Sequence, residues 1–315
     1  KGVMVFMMMT TNIFSQSKSA SPTFGDDLAF LKKYTKVFVL SDKSGKKQVA
    51  VVPEYQGRVM TSTADGEGGA SFGWVNRDLI ALEKKQPHIN VYGGEDRFWL
   101  GPEGGQYSIF FKKGDPFDLD HWFTPSWIDT EPYEVVSKSQ DRAKFRCKFQ
   151  LTNYSGTMLD LEFFREVRLL NDADLKKDLG LTIKPGVKVV AFETVNTIKN
   201  VGLKPWKKET GLLSIWILGM FNASPAMTVV IPFVKGNEQD LGPIVNDAYF
   251  GKVPAERLVV KEGVMYFAAD SNYRSKIGVS PRRAMPVLGS YDAVNQVLTI
   301  VQFTLPEKVT DYVNS

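Results

Sequence analysis

Cysteine and histidine are the scarcest chemistry-bearing residues of this chain. Cys147 is the only cysteine, and His88 and His121 are the only histidines among 315 residues. A lone cysteine excludes an internal disulfide and reads as a small apolar side chain buried in a core. No histidine, cysteine and aspartate fall together at ligand spacing, so no metal site is expected and no cofactor is implied. No apolar run is long enough for a spanning helix, so no membrane span is expected. The 39 basic side chains outnumber the 35 acidic ones by four, and they are spread along the chain rather than interleaved with aromatics. That distribution argues against nucleic acid as a partner. There is no Gly-Lys-Ser/Thr phosphate loop and no dinucleotide fingerprint. A fixed-period repeat, a low-complexity tract and a composition break marking a second domain are all missing.

What is present begins with a basic, then apolar, then small-residue pattern over Lys1 to Ser15 (KGVMVFMMMTTNIFS). This is the layout of a secretory signal peptide, and it places the mature start near Gln16 in a secreted or periplasmic protein. No cysteine follows the cleavage point, so a lipid anchor is not expected. The first residue is lysine rather than methionine, and the chain stops at Asp311-Tyr312-Val313-Asn314-Ser315 without a terminating element. Both ends are therefore expected to be truncated, and a carboxylate-bearing C-terminal segment is a candidate for what is missing. Residues 16–35 read as a polar linker and a short helix from Ser21 to Lys33, with Asp26 and Asp27 early and Lys32 and Lys33 late, matching the helix dipole.

Residues 36–315 read as one all-β domain. Val37 to Leu40 and Val49 to Val52 are strands joined by the turn-rich Ser41 to Lys46. In Arg142 to Arg168, charged and apolar residues alternate on both sides of a turn near Tyr154, which predicts an antiparallel hairpin with Lys148 facing Asp160 and Arg146 facing Glu162. These charges then form a solvated sheet face rather than a catalytic cluster. Further strands are read over Val187–Thr197, Leu213–Leu218, Met227–Val234, Val264–Ala268 and Val297–Phe303, with a helical turn over Asp172–Leu179. Many strands with few helices point to a large β-sandwich with a short N-terminal helix.

The stretch from His88 to Phe111 (HINVYGGEDRFWLGPEGGQYSIFF) concentrates glycine, aromatic, acidic and basic residues. His88, Asn90 and Tyr92 alternate with Ile89 and Val91, as on a strand with one polar face. Gly93-Gly94 breaks that strand, and Tyr107 to Phe111 resumes one. Between the turns an extended chain puts Arg97 and Trp99 on one face. A forked donor beside a flat ring suits a sugar, with hydrogen bonds to hydroxyls and an aromatic plate under the ring. Asn90, Tyr92, Arg97, Trp99, Gln106 and Trp122 are therefore the candidate substrate-binding residues. His88, His121, Glu95 and Glu103 are the candidate catalytic ones. The alternative is a tight corner with Trp99 in the core and Arg97 bridged to Glu95 or Glu103. The segment Trp122 to Trp127 reads either as a hydrophobic plug or as an aromatic rim.

Pro53-Glu54-Tyr55-Gln56-Gly57-Arg58-Val59 resembles the early strand of galactose mutarotase-like proteins. Gly93 to Gly105 (GGEDRFWLGPEGG) resembles the glycine-arginine-tryptophan corner of secreted bacterial members of that superfamily. The resemblance spans roughly residues 35–305 and implies a β-supersandwich holding a sugar on the concave face of its larger sheet. In mutarotases a glutamate takes the anomeric proton and a histidine protonates the ring oxygen. Here only His88 or His121 is available for the histidine role, and neither sits in the family's histidine motifs. Three functions follow: a carbohydrate-binding protein for mono- or oligosaccharides, an aldose epimerase-like enzyme using a histidine and a carboxylate, and a structural module of a secreted assembly. The scarcity of histidine favours the first.

Overall fold

A computed structural model describes residues 22–180 and 182–307. The expected leader at 1–15, the start near Gln16 and the C-terminal end at Ser315 lie outside the described residues. The chain is predominantly antiparallel β-structure with a short N-terminal helix, as the alternating patterns require. Its described residues fall into two compact units: 22–215 with 219–221, and 216–218 with 222–307. The strand signals read from residue 36 onward are thus carried, among the described residues, by two units.

The first unit opens with α1 (Phe24–Tyr34), started by a capping box in which Thr23 and Asp26 satisfy each other's backbone groups. Phe24 and Leu28 pack with Ala50, which fixes the helix against the first sheet. That sheet has the order β1 (Phe38–Ser41), β2 (Gln48–Val52), β3 (Arg58–Thr63). A short helix α2 (Arg77–Ala81) and strand β4 (Arg97–Gly101) follow. The second sheet has the order β5 (Glu134–Lys138), β6 (Arg142–Thr152), β7 (Met158–Leu169), β8 (Phe192–Asn200). Phe38 of β1 stacks on Phe145 of β6, and Phe98 of β4 packs on Phe163 of β7 with ring centroids 4.0 Å apart. These aromatic contacts form the sandwich core of the unit. Helix α3 (Asp172–Leu179) ends at Gly180 in a left-handed cap, on the span read from sequence.

The β6–β7 hairpin forms, but in a register two residues from the expected one. Lys148 faces Glu162, Gln150 faces Asp160, and Arg146 faces Phe164. The cause is the turn: Asn153 N donates to Thr157 O, Thr157 N donates to Asn153 Oδ1, and Gly156 takes a positive φ. This loop centres the hairpin on residue 155 rather than 154. Arg146 instead forks onto Glu134 of β5, at 2.9 to 3.2 Å. Arg146, Lys148 and Asp160 lie on a partly or fully exposed face, as the alternation requires, but Glu162 on that face is buried. Cys147 is half-buried rather than buried, and partial burial with nearby Glu131 pushes its thiol up to about 11.

Two segments expected to be strands are irregular. Residues 88–92 and 107–111 carry no strand, because side chains and short turns take up their backbone groups. Asn90 N donates to the Asp129 carboxylate, and Tyr92 N turns back onto Asn90 O.

Strand β9 (Ser214–Leu218) gives residues 216–218 to the second unit, whose five-stranded antiparallel sheet comes later in the chain. Its order is β11 (Leu258–Lys261), β12 (Val264–Ala268), β10 (Met227–Pro232), β13 (Val287–Asp292), β14 (Val297–Gln302). Met227, Val229, Phe267 and Ile277 close a core on one face. A single-turn helix α4 (Glu238–Leu241) leads into a loop held by Arg283, whose buried guanidinium donates to the carbonyls of Val234, Gly236, Asn237 and Gly242.

Candidate functional site

Strand β4 does put Arg97 and Trp99 on one face, with the guanidinium 4.3 Å from the ring centroid. The face points inward. Arg97 and Trp99 are each 1% exposed and Asn90 is fully buried, so the expected open cleft on this strand is not there. Arg97 Nη2 donates to Asp129 Oδ1 at 2.7 Å and to Ile128 O at 3.1 Å. Its counter-ion is thus Asp129, and neither Glu95 nor Glu103 takes that place. Trp99 Nε1 donates to Glu103 Oε1 at 2.7 Å. A cation beside a flat ring is a sugar-binding pair only where water and ligand reach it. Here the sandwich core covers it, and a buried charge must then find a carboxylate.

The other candidates are dispersed over separate partners. His88 Nδ1 meets the Trp122 carbonyl at 2.7 Å and its ring stacks on Phe123. His121 is half-exposed on the Asp118 carboxylate at 2.6 Å, which raises the imidazole's pKa. Gln106 is exposed, and its carbonyl accepts from Ser155 Oγ. Trp122 is half-buried against Phe110, whereas Trp127 is buried and stacked on Phe149. The segment from 122 to 127 is therefore rim at its start and plug at its end. Glu95 accepts from Ser62 N at 2.5 Å and pairs with Ser62 Oγ at 2.9 Å. Burial lifts its carboxyl to about 7, opposed by the Ser62 hydrogen bonds and reinforced by neighbouring Asp96.

Two polar clusters escaped the sequence reading. In one, Arg165 of β7 lies in a row of inward-facing apolar residues and is fully covered. It donates to Gly57 O, Asn196 Oδ1 and the Asp96 carboxylate, which also accepts from Thr194 Oγ1. In the other, Arg58 and Arg97 share a neighbourhood with a single carboxylate, Asp129. Arg58 Nη1 donates to Gly93 O at 2.9 Å, while Arg58 Nε and Arg97 Nε and Nη1 have no partner. Among the described residues no three His, Cys, Asp or Glu side chains are grouped to hold a metal ion.

Tyr92 lines a cavity. The cavity measures about 230 Å³. Tyr55 and Tyr92 stack in one wall, with ring centroids 4.2 Å apart and planes 14° from parallel. Leu79 and Ile80 of α2 and Tyr34 of α1 supply the apolar remainder, and Glu83, Lys84 and Lys85 form an exposed rim. Burial pushes the Tyr55 hydroxyl up to about 12 and raises that of Tyr92, so both remain neutral donors at physiological pH. The rim sits where it does because α2 ends in a turn: Glu83 takes φ +49° and its N–H closes onto Ile80 O.

A family model described as a family of unknown function, DUF6786, matches residues 22–315. The chain belongs to the DUF6786 family. No curated protein matches the chain. Among solved structures, the crystal structure of the Slr1438 protein from Synechocystis sp. PCC 6803 aligns with 82% of this chain and 73% of its own at 14% identity, with a TM-score of 0.36. Among the described residues of this DUF6786 member, no helix is long and apolar enough to cross a membrane.

Proposed function

We propose that this DUF6786 protein is an exported, non-catalytic carbohydrate-binding protein of mutarotase-like fold, which holds one sugar ring in the cavity walled by Tyr55 and Tyr92. The observation that carries the reading is the composition of that cavity: aromatic faces inside, charged donors and acceptors at the mouth. Sugars present C–H faces that lie on aromatic rings and hydroxyls that need hydrogen-bonding partners at the edge. The volume of about 230 Å³ is below the roughly 300–1,000 Å³ of sites that enclose drug-sized ligands, so it suits one ring rather than a chain. The binding site is therefore moved from the Arg97–Trp99 strand to the cavity that Tyr92 lines. Export rests on the basic-apolar-small pattern of residues 1–15.

The enzymatic alternative has less behind it. The two histidines are each engaged by groups other than Glu95, and both Glu95 oxygens are taken up by Ser62. Chemistry needs an acid and a base around one open space. A glycan array followed by calorimetry on the best hit tests the proposal. Tyr55→Ala should abolish detectable binding while circular dichroism stays unchanged. No glycan bound by the intact protein at millimolar concentration, or undiminished binding by the Tyr55→Ala variant, would overturn it.

A further inference from the structure

We propose that the ligand of the Tyr55–Tyr92 cavity is an acidic sugar, a single ring bearing one carboxylate that Lys84 and Lys85 hold at the rim. This rests on the reading of the cavity as a sugar site and names the class of sugar. The Lys84 carbonyl accepts from Gln86 Nε2, while its ammonium makes no hydrogen bond or ion pair among the described residues. Lys85 Nζ spends one donor on Thr130 O at 3.2 Å and keeps two. Two exposed ammonium groups at the rim of the cavity thus make no ion pair with a carboxylate.

The charge behind the wall has the same sign. Arg58 lies with its guanidinium 5.7 Å from the Tyr92 ring centroid and is fully buried, as is its neighbour Arg97, and the two have only Asp129 between them. Guanidinium groups stay protonated, so this cluster carries one positive charge in excess. Of the other charges around the cavity, Glu83 is opposed by Lys33, whose ammonium lies over the Tyr34 ring, and Glu54 accepts from Thr35 Oγ1. At the rim itself Lys84 and Lys85 stand against Glu83 alone, and Arg58 lies behind the Tyr92 wall. At a half-open site that excess of positive charge favours an anion over a neutral competitor. Lysine supplies a movable point charge, which fits a carboxylate on a ring that enters and leaves, whereas the rigid arginine forks are already committed to backbone carbonyls.

The test is calorimetry on the full chain with galacturonate and glucuronate against galactose and glucose, for wild type, the double variant Lys84→Gln/Lys85→Gln, and Tyr55→Ala. Both lysines are exposed, so the double variant is expected to fold, with circular dichroism as the check. The expected result is about tenfold or tighter binding of a uronate than of its neutral parent, reduced to near parity in the double variant, because a charge-assisted hydrogen bond is stronger than a neutral one. Raising the salt concentration should weaken the uronate alone. Equal binding of acid and neutral sugars, unchanged in the double variant but lost in Tyr55→Ala, overturns the acidic class and leaves the sugar site standing. Binding of neither type by wild type overturns both.

Discussion

Glu95 makes the stability of the first unit depend on pH in a direction opposite to that of most carboxylates. Its folded-state pKa is about 7 against an ordinary 4.5, because burial disfavours the anion more than two hydrogen bonds from Ser62 favour it. Between these values the folded protein retains a proton that the unfolded chain has lost. Stability therefore falls as pH rises from about 4.5 to about 7 and levels off above. The displacement converts to about 3 kcal/mol across the window. Glu95→Gln should flatten this slope without breaking the site, since an amide reproduces the neutral acid: its oxygen accepts from Ser62 N and its nitrogen donates to Ser62 Oγ. Urea unfolding followed by tryptophan fluorescence at several values between pH 5 and 8 reads the effect. Trp74, Trp99, Trp122, Trp127 and Trp206, five of the six tryptophans, lie in the unit that contains Glu95. His121 contributes a slope of the same sign, so the decisive quantity is the difference between wild type and variant. Parallel curves for the two proteins would refute the assignment of a near-neutral pKa to Glu95.

Asp129→Asn should destabilise the protein by about 3–5 kcal/mol in chemical denaturation, since it strips Arg97 of its buried counter-ion. Gly57→Ala should lower the melting temperature in calorimetry by an amount equivalent to about 1–3 kcal/mol, because a Cβ there lies 2.7 Å from the Phe145 ring on a backbone with φ +63°. Arg146→Glu should leave the melting temperature nearly unchanged by the same measurement, as its pair with Glu134 is exposed, and should leave any sugar binding intact. Protein expressed with its complete leader in a host that exports it should show, by mass spectrometry, an N-terminus near Gln16; retention of Lys1 to Ser15 would count against export.

The elements that were legible are those with a local cause. Thr23 and Asp26 announce α1, and the Asn171–Asp174 pair announces α3, through capping that any chain of that sequence would make. The β6–β7 pairing was legible from alternation, but its register depends on how many residues the turn consumes, and Asn153 decides that through a side-chain bond to Thr157. Strand β5 (EVVSK) is exposed throughout and β13 (VLGSYD) is broken by Gly289, so neither shows the alternation that marks a half-buried strand. The clearest missed signal is Arg165. It occupies the inward parity of Leu159, Leu161, Phe163, Val167 and Leu169, and a charge in an apolar row demands a buried partner. That partner, Asp96, lies in the very stretch that drew attention for other reasons.

The composition of residues 88–111 is ambiguous for a physical reason. Cations, rings and carboxylates between glycines serve equally well in an open cleft and in a buried joint where the chain leaves regular structure. The second is what this segment needs. Gly93 and Gly94 hold positive φ in contact with Trp74 O and Val59 O, where a Cβ would come within 2.1 and 2.8 Å. So close an approach leaves backbone groups that no ladder can satisfy. Arginines supply the missing bonds: Arg58 to Gly93 O, Arg97 to Ile128 O and Arg165 to Gly57 O. Asp129 completes the set by accepting from Asn90 N and Arg97 together. Each long fork spans a gap that a hydrogen-bonded strand would have closed. The glycine corner is thus a clamp that holds Tyr92 against Tyr55, and the positive charge it leaves behind the stacked rings is the feature of the clamp that reaches the cavity.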